Sequence, residues 1–137
     1  MTRHAYGLDT SFEALSGSGG RLVNFNAEYD ALPGIGHACG HNLIATSSIA
    51  AFLALSFALK KYGIPGRTQL LGTPAEENGG GKEKLINAGA YKGVDISLMA
   101  YVIASAEAHD ILTVMAAIPG PRHFSRDRNH LMALRGP

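Results

Sequence analysis

Apolar residues recur along the chain with two different periods. Between Arg21 and Glu28, Val23, Phe25 and Ala27 alternate with Asn24, Asn26 and Glu28. That period of two predicts a strand with one apolar and one polar face. A strand covered on both faces reads as more uniformly apolar, so the asparagines predict a sheet edge, or a strand whose neighbour is missing. Thr10–Ala14 is a second strand-like run, and Ser16-Gly17-Ser18-Gly19-Gly20 between the two is turn chemistry. A hairpin is the expectation. From about His41 to Tyr62 the pattern becomes helical and is apolar nearly all round (Ile44, Ile49, Phe52, Leu53, Phe57), which predicts deep burial. Lys60 and Lys61 suit the negative end of the helix dipole, and Gly63 with Pro65 ends the helix.

Further on, Arg67–Thr73 reads as a strand, Asn78–Gly81 as a tight turn, Lys82–Ala88 as a short helix stopped by Gly89, and Asp95–Ile103 as another strand. Alternating strands and helices predict an α/β fold: a mixed, mostly parallel sheet with flanking helices and right-handed crossovers. In such sheets, sites gather beyond the carboxyl ends of the strands. The segments Asp30–His41 and Pro74–Gly81 both follow strands, so topology alone puts them on one rim. After Ala104 the character changes. Glu107–Ile118 reads as a weak helix, and residues 119–137, rich in Pro, Gly, Arg and His without periodicity, as a poorly ordered tail.

Composition narrows the classes. The 137 residues suffice for one compact domain, and 46% apolar against 17% charged residues favours a buried core over disorder. A net charge of +1 gives no electrostatic reason to expect nucleic acid or an anionic membrane as partner. One cysteine forms no internal disulfide, which points to a reducing, cytoplasmic setting. No apolar h-region occurs in residues 1–20, so no signal peptide is expected. The most apolar run, Leu43 to Leu59, falls short of the ~20 residues of a bilayer span.

The candidate chemistry lies in two short motifs. Gly36-His37-Ala38-Cys39-Gly40-His41-Asn42 holds the lone thiol beside an imidazole, and Pro74-Ala75-Glu76-Glu77 follows the next strand. A thiolate, an imidazole and a carboxylate are ligands that a zinc-like ion accepts. The repelling charges of Glu76 and Glu77 favour a nearby cation, and a carboxylate beside a ligand suits a general base. The same residues also read as a small buried cysteine, a helix-capping histidine and a solvated acidic loop. Asp30 reads either as a residue that orients a ligand or as a turn residue. Gly79-Gly80-Gly81-Lys82 lacks the Ser or Thr of a phosphate loop, since Glu83 follows, and is read as a turn into a helix.

Three segments together carry a family resemblance: Ala27-Glu28-Tyr29-Asp30-Ala31-Leu32-Pro33, Gly36-His37-Ala38-Cys39-Gly40-His41-Asn42 and Thr73-Pro74-Ala75-Glu76-Glu77. They resemble metallopeptidase family M-twenty, in the amidohydrolase and dipeptidase branch with a cysteine ligand, over roughly residues 3–100. The resemblance implies hydrolysis of amide bonds in N-acyl amino acids or small dipeptides at a paired zinc or manganese centre. It implies Cys39, His41 and Glu77 as metal ligands and Glu76 as the general base. The sequence also departs from that pattern. Tyr101 stands where the family places a histidine ligand, and no later histidine ligand or dimerisation domain is found. The expectation is a partial catalytic domain over residues 1–104 with an unrelated tail over 105–137. A non-catalytic remnant that binds at most one ion, or associates with a full-length relative, is the alternative.

Overall fold

The computed structural model describes residues 1–103 and 111–117. The segment 104–110 and the tail 118–137 lie outside the described residues, as do the expected disorder of that tail and the ends of the helix expected over 107–118. Six strands form one sheet: β1 (Thr2–Arg3), β2 (Phe12–Ser18), β3 (Leu22–Glu28), β4 (Gly66–Thr73), β5 (Ile96–Ile103) and β6 (Ile111–Ala117). Their order is β1-β2-β4-β3-β5-β6. Strands β4, β3 and β5 run parallel at the centre, while β2 and β6 pair antiparallel on either side. Among the described residues there are three α-helices, α1 (His41–Tyr62), α2 (Glu76–Gly79) and α3 (Gly81–Asn87), and one 3-10 turn, Ala5–Gly7.

Strand β3 sits in the middle of this sheet, not at its edge, and β2 and β3 form no hairpin. Strand β4 lies between them, paired from Phe12↔Gly72 to Ser18↔Gly66 on one side and from Leu22↔Arg67 to Glu28↔Thr73 on the other. The glycine-rich linker therefore carries the chain past the start of β4. Gly20 shows how closely it passes, because a Cβ there would sit 2.2 Å from the Pro65 carbonyl oxygen.

The sheet has two unlike faces. Phe25, Ala27 and Leu70 point to one side and pack against Phe52 of α1. Leu71 points to the other side and packs against Leu85 of α3 and Ala90. On that second side the asparagines of β3 are buried and paired, which is why they do not mark an edge. Asn24 Nδ2 donates to Gln69 Oε1 at 3.1 Å and Asn24 Oδ1 accepts from Ser97 Oγ at 2.8 Å. Asn26 Nδ2 donates to Ser97 Oγ at 3.0 Å and its Oδ1 accepts from Tyr91 Oη at 2.6 Å. A buried amide is tolerated when its donors and acceptors are met, and neighbouring strands meet them here.

Helix α1 has the expected boundaries, closed by Gly63 in the left-handed region with its N–H on the Leu59 carbonyl. Its burial differs from the expectation. Only His41, Ile44, Ser48 and Phe52 are buried, while Leu43, Leu53 and Phe57 are more than half exposed. One stripe serves the sheet, and no described segment covers the opposite one. By length and composition alone α1 could cross a membrane. In this fold it lies along the sheet.

The stretch from Pro74 to Gly81 is not a plain turn. Ala75 adopts φ 53°, left-handed for a residue with a Cβ, and α2 begins directly after it. Gly80, also left-handed, separates α2 from α3. Gly81 admits no side chain, because a Cβ would lie 1.8 Å from the Pro74 carbonyl oxygen. That contact holds the start of α3 against the end of β4. Residues 111–117 form strand β6 against β5, from Ser97↔Ala117 to Ile103↔Ile111, rather than a helix. The β-branched Ile111, Thr113 and Val114 fit a strand better than a helix.

Candidate metal centre

The parallel strands β3 and β4 end side by side, with Glu28 paired to Thr73. The loop after β3 carries Asp30 and leads through Cys39 to the start of α1. The loop after β4 carries Glu76 and Glu77. Both motifs therefore meet on one rim, and His41 is the point of contact between them.

His41 is 4% exposed although it opens a helix. Its Nδ1 faces Asp30 Oδ1 at 3.0 Å and the Asp30 carbonyl oxygen at 3.1 Å. Its Nε2 faces Glu77 Oε1 at 3.3 Å and Glu28 Oε2 at 3.5 Å. An imidazole held on Nδ1 by a carboxylate presents a defined Nε2 lone pair, the arrangement that orients metal-binding histidines. Asp30 is itself fixed: its Oδ2 accepts the Glu77 backbone N–H at 3.4 Å. Desolvation pushes the Asp30 carboxyl up. The backbone N–H groups of Glu76 and Glu77 and the charge on His41 outweigh it and hold the group below its ordinary range.

Cys39 lies half-buried just before α1, with no disulfide partner. Partial desolvation, then the neighbouring Glu77 carboxylate and the charge of Asp30, push its thiol above its ordinary value. An acidic neighbourhood that keeps a thiol protonated is one that a cation reverses, since metal binding deprotonates the sulfur. His37 is exposed in the preceding loop, its carbonyl accepting the Gly40 N–H at 3.0 Å.

Glu76 makes its contacts with Lys82. Its Oε2 accepts the Lys82 backbone N–H at 2.9 Å, and its Oε1 lies 3.2 Å from Lys82 Nζ. Lys82 Nζ also donates to Glu28, whose side chain is 3% exposed. Desolvation works to lower the Lys82 pKa, but Glu28 and then Glu76 more than offset it and leave it raised. Tyr91, desolvated and facing the charges of Glu76 and Glu28, is likewise raised. Glu28 and Lys82 escape a reading by motif. The one signal was a charge ending the polar face of a strand, which is ordinary for an exposed face. Only the covered sheet makes Glu28 a buried carboxylate in need of a cation.

The donor types suit a zinc-like ion. Two ligands at ~2.0–2.1 Å around a tetrahedral ion stand ~3.3 Å apart, and the His41–Glu77 contact has that spacing. Among the described residues, no three His, Cys, Asp or Glu side chains already close around a single point. The pair fits, and the thiol is the adjacent third donor. Tyr101, which stands where the resemblance implies a histidine, lies within β5 and pairs with Thr113.

Comparison with known proteins agrees with the motifs. The model of peptidase family M20/M25/M40 matches residues 24–118, past the limit near residue 100 that the motifs alone marked. Xaa-Arg dipeptidase of Mus musculus is 48% identical over 105 residues, which cover 70% of this chain and 24% of that protein. A p-aminobenzoyl-glutamate hydrolase polypeptide of Escherichia coli is 33% identical over 72% of the chain and 24% of its own length. N-acetyl-L-cysteine deacetylase of Bacillus subtilis is 36% identical over 57% of the chain and 22% of its own length. The chain spans about a quarter of the length of the curated relatives it matches. With the family model matching more than half its residues, and three of its motifs meeting on one rim of an α/β sheet, the chain belongs to peptidase family M20/M25/M40.

Proposed function

We propose that this chain forms the metal-binding rim of an enzyme that hydrolyses amide bonds in small dipeptides or N-acyl amino acids. The observation that carries the reading is His41, clamped by Asp30 on Nδ1 and facing Glu77 on Nε2 at 3.3 Å. Cys39, His41 and Glu77 are the residues that would hold an ion, zinc or manganese by donor type. When bound, the ion supplies a Lewis acid and makes water more acidic. Asp30 keeps the His41 ring in orientation. Glu76 takes a proton from the attacking water and returns it to the departing amine. Lys82 holds the Glu76 carboxylate through two donors, which limits the rotation a free glutamate would have. The names of the relatives, a dipeptidase and two hydrolases of acylated amino acids, support small amides as the substrate class.

Zinc titration of the full chain tests the site. Cys39→Ser and His41→Ala should each weaken zinc at least ~10–100-fold, the scale on which even ligand-supporting residues act. Unchanged affinity in both variants overturns the assignment. A non-catalytic role, binding one ion or a full-length relative, is favoured by one observation, the exposed apolar stripe of α1. Hydrolysis of an Xaa-Arg dipeptide or an N-acyl amino acid by the zinc-loaded chain separates the two readings.

A further inference from the structure

Helix α1 carries two opposite stripes. His41, Ile44, Ser48 and Phe52 are buried against the sheet. Half a turn round, Leu43, Thr46, Ala50, Leu53 and Phe57 are all exposed, Leu53 at 59% and Phe57 at 65%. Their steps of three, four, three and four residues are the spacing of a two-helix seam. We propose that this stripe pairs with the same stripe of a second copy of the chain, the two α1 helices running antiparallel. The inference is independent of the metal assignment, because an enzyme and a non-catalytic remnant can both pair in this way.

Three observations carry it. The stripe is self-complementary in one register. With the two-fold axis midway between Ala50 and Leu53, each Ala50 lies opposite the partner's Leu53 and each Thr46 opposite the partner's Phe57. Every large side chain on those four levels then meets a small one, as close helix packing requires. Thr46 also suits an apolar seam. Its hydroxyl already donates to the Asn42 carbonyl at 2.7 Å, so burying it strands no donor. The charges select the same direction. Lys60 and Lys61 close α1, and Lys61 Nζ lies 5.6 Å from the centre of the Phe57 ring, at the border of the stripe. The other end of α1 meets the acidic rim, where His41 contacts Asp30 and Glu77 and the Glu77 side chain is 43% exposed. The antiparallel pair brings each basic end to the partner's acidic end, whereas a parallel pair sets like ends together.

One helix against one helix is a small interface, below ~1,200 Å² and in the class of transient complexes. Sedimentation equilibrium of the full chain in EDTA is therefore expected to rise reversibly from 14.4 kDa to twice that mass between about 5 and 500 µM. Leu53→Glu sets a carboxylate against the partner's Ala50 on both sides of the axis and should weaken the dimer at least about tenfold. A smaller loss would place the contact on another surface and overturn the proposal. Lys60→Gln combined with Lys61→Gln should weaken the dimer about threefold or more at low salt, and the difference should vanish at high salt. An unchanged or tighter dimer in that variant overturns the antiparallel arrangement. A chain still monomeric at about 500 µM overturns the pairing altogether. A monomer that cosediments with phosphatidylcholine vesicles assigns the stripe to a lipid surface and overturns it as well. Circular dichroism confirms folding of each variant, and Phe57→Glu replaces Leu53→Glu should the latter fail to fold.

Discussion

The two faces of the sheet are built on opposite principles. Toward α1, Phe25, Ala27, Leu70 and Phe52 make an apolar contact that depends on area and fit. Toward α3, Asn24, Asn26, Gln69, Ser97 and Tyr91 make a chain of hydrogen bonds that depends on direction. Hydrophobic contact stabilises without fixing orientation. A buried polar network fixes orientation, and a missing member leaves its partners unsatisfied. The polar face continues without a break into the rim: the side chains of β3 on that side run Asn24, Asn26, Glu28, and Glu28 meets Lys82 and His41. Both faces carry an apolar cluster, but the polar network that leads into the charged groups lies on one of them.

Truncation at the centre of the apolar face should have the largest effect. Phe52→Ala is expected to cost about 3–5 kcal/mol, read from the shift in denaturant midpoint. A loss below about 1 kcal/mol would mean that α1 contributes little to the core. On the polar face, Asn24→Ala strands Gln69 Oε1 and removes an acceptor from Ser97, at an expected cost of about 1–3 kcal/mol. Asn24→Ala should also weaken zinc binding while the protein is still folded, whereas Phe52→Ala should do so only in proportion to unfolding. Equal behaviour of the two variants would erase the contrast between the faces.

The smallest effect expected is confined to alkaline pH. Tyr6 Oη donates to Glu13 Oε1 at 2.7 Å, at the far end of the same polar face. Desolvation, then the Glu13 hydrogen bond and charge, push Tyr6 up to about 12 from an ordinary 10.0. The folded chain therefore holds this proton more tightly than the unfolded one. The resulting stability is present below pH 10.0 and is lost as pH rises toward about 12. Tyr6→Phe should flatten that limb of the stability curve, read by denaturation at stepped pH. An unchanged alkaline limb would remove Tyr6 from the network.

Much of the fold was legible. The helix over 41–62, the strand after it and the short helix before Gly89 follow from apolar period, end signals and glycine placement. The two motifs were bound to meet, because segments that follow parallel neighbouring strands share a rim. Other features were hidden. Asn24 and Asn26 look like an exposed face until Gln69, Ser97 and Tyr91 arrive from distant parts of the chain. The linker 16–20 looks like a hairpin turn because the strand that intervenes lies some forty residues later. The outer stripe of α1 looks buried because composition reports what a helix could cover, not what is present to cover it.

The sequence by itself determined most local elements, the family and the two segments that carry the candidate ligands, since these rest on short-range periodicity and contiguous motifs. The tertiary structure alone decided that β3 is central, that Asp30 clamps His41, and that Lys82 bridges Glu28 and Glu76. Those facts depend on contacts between residues far apart in sequence, and the energy of a buried charge or amide is set by what the fold brings beside it.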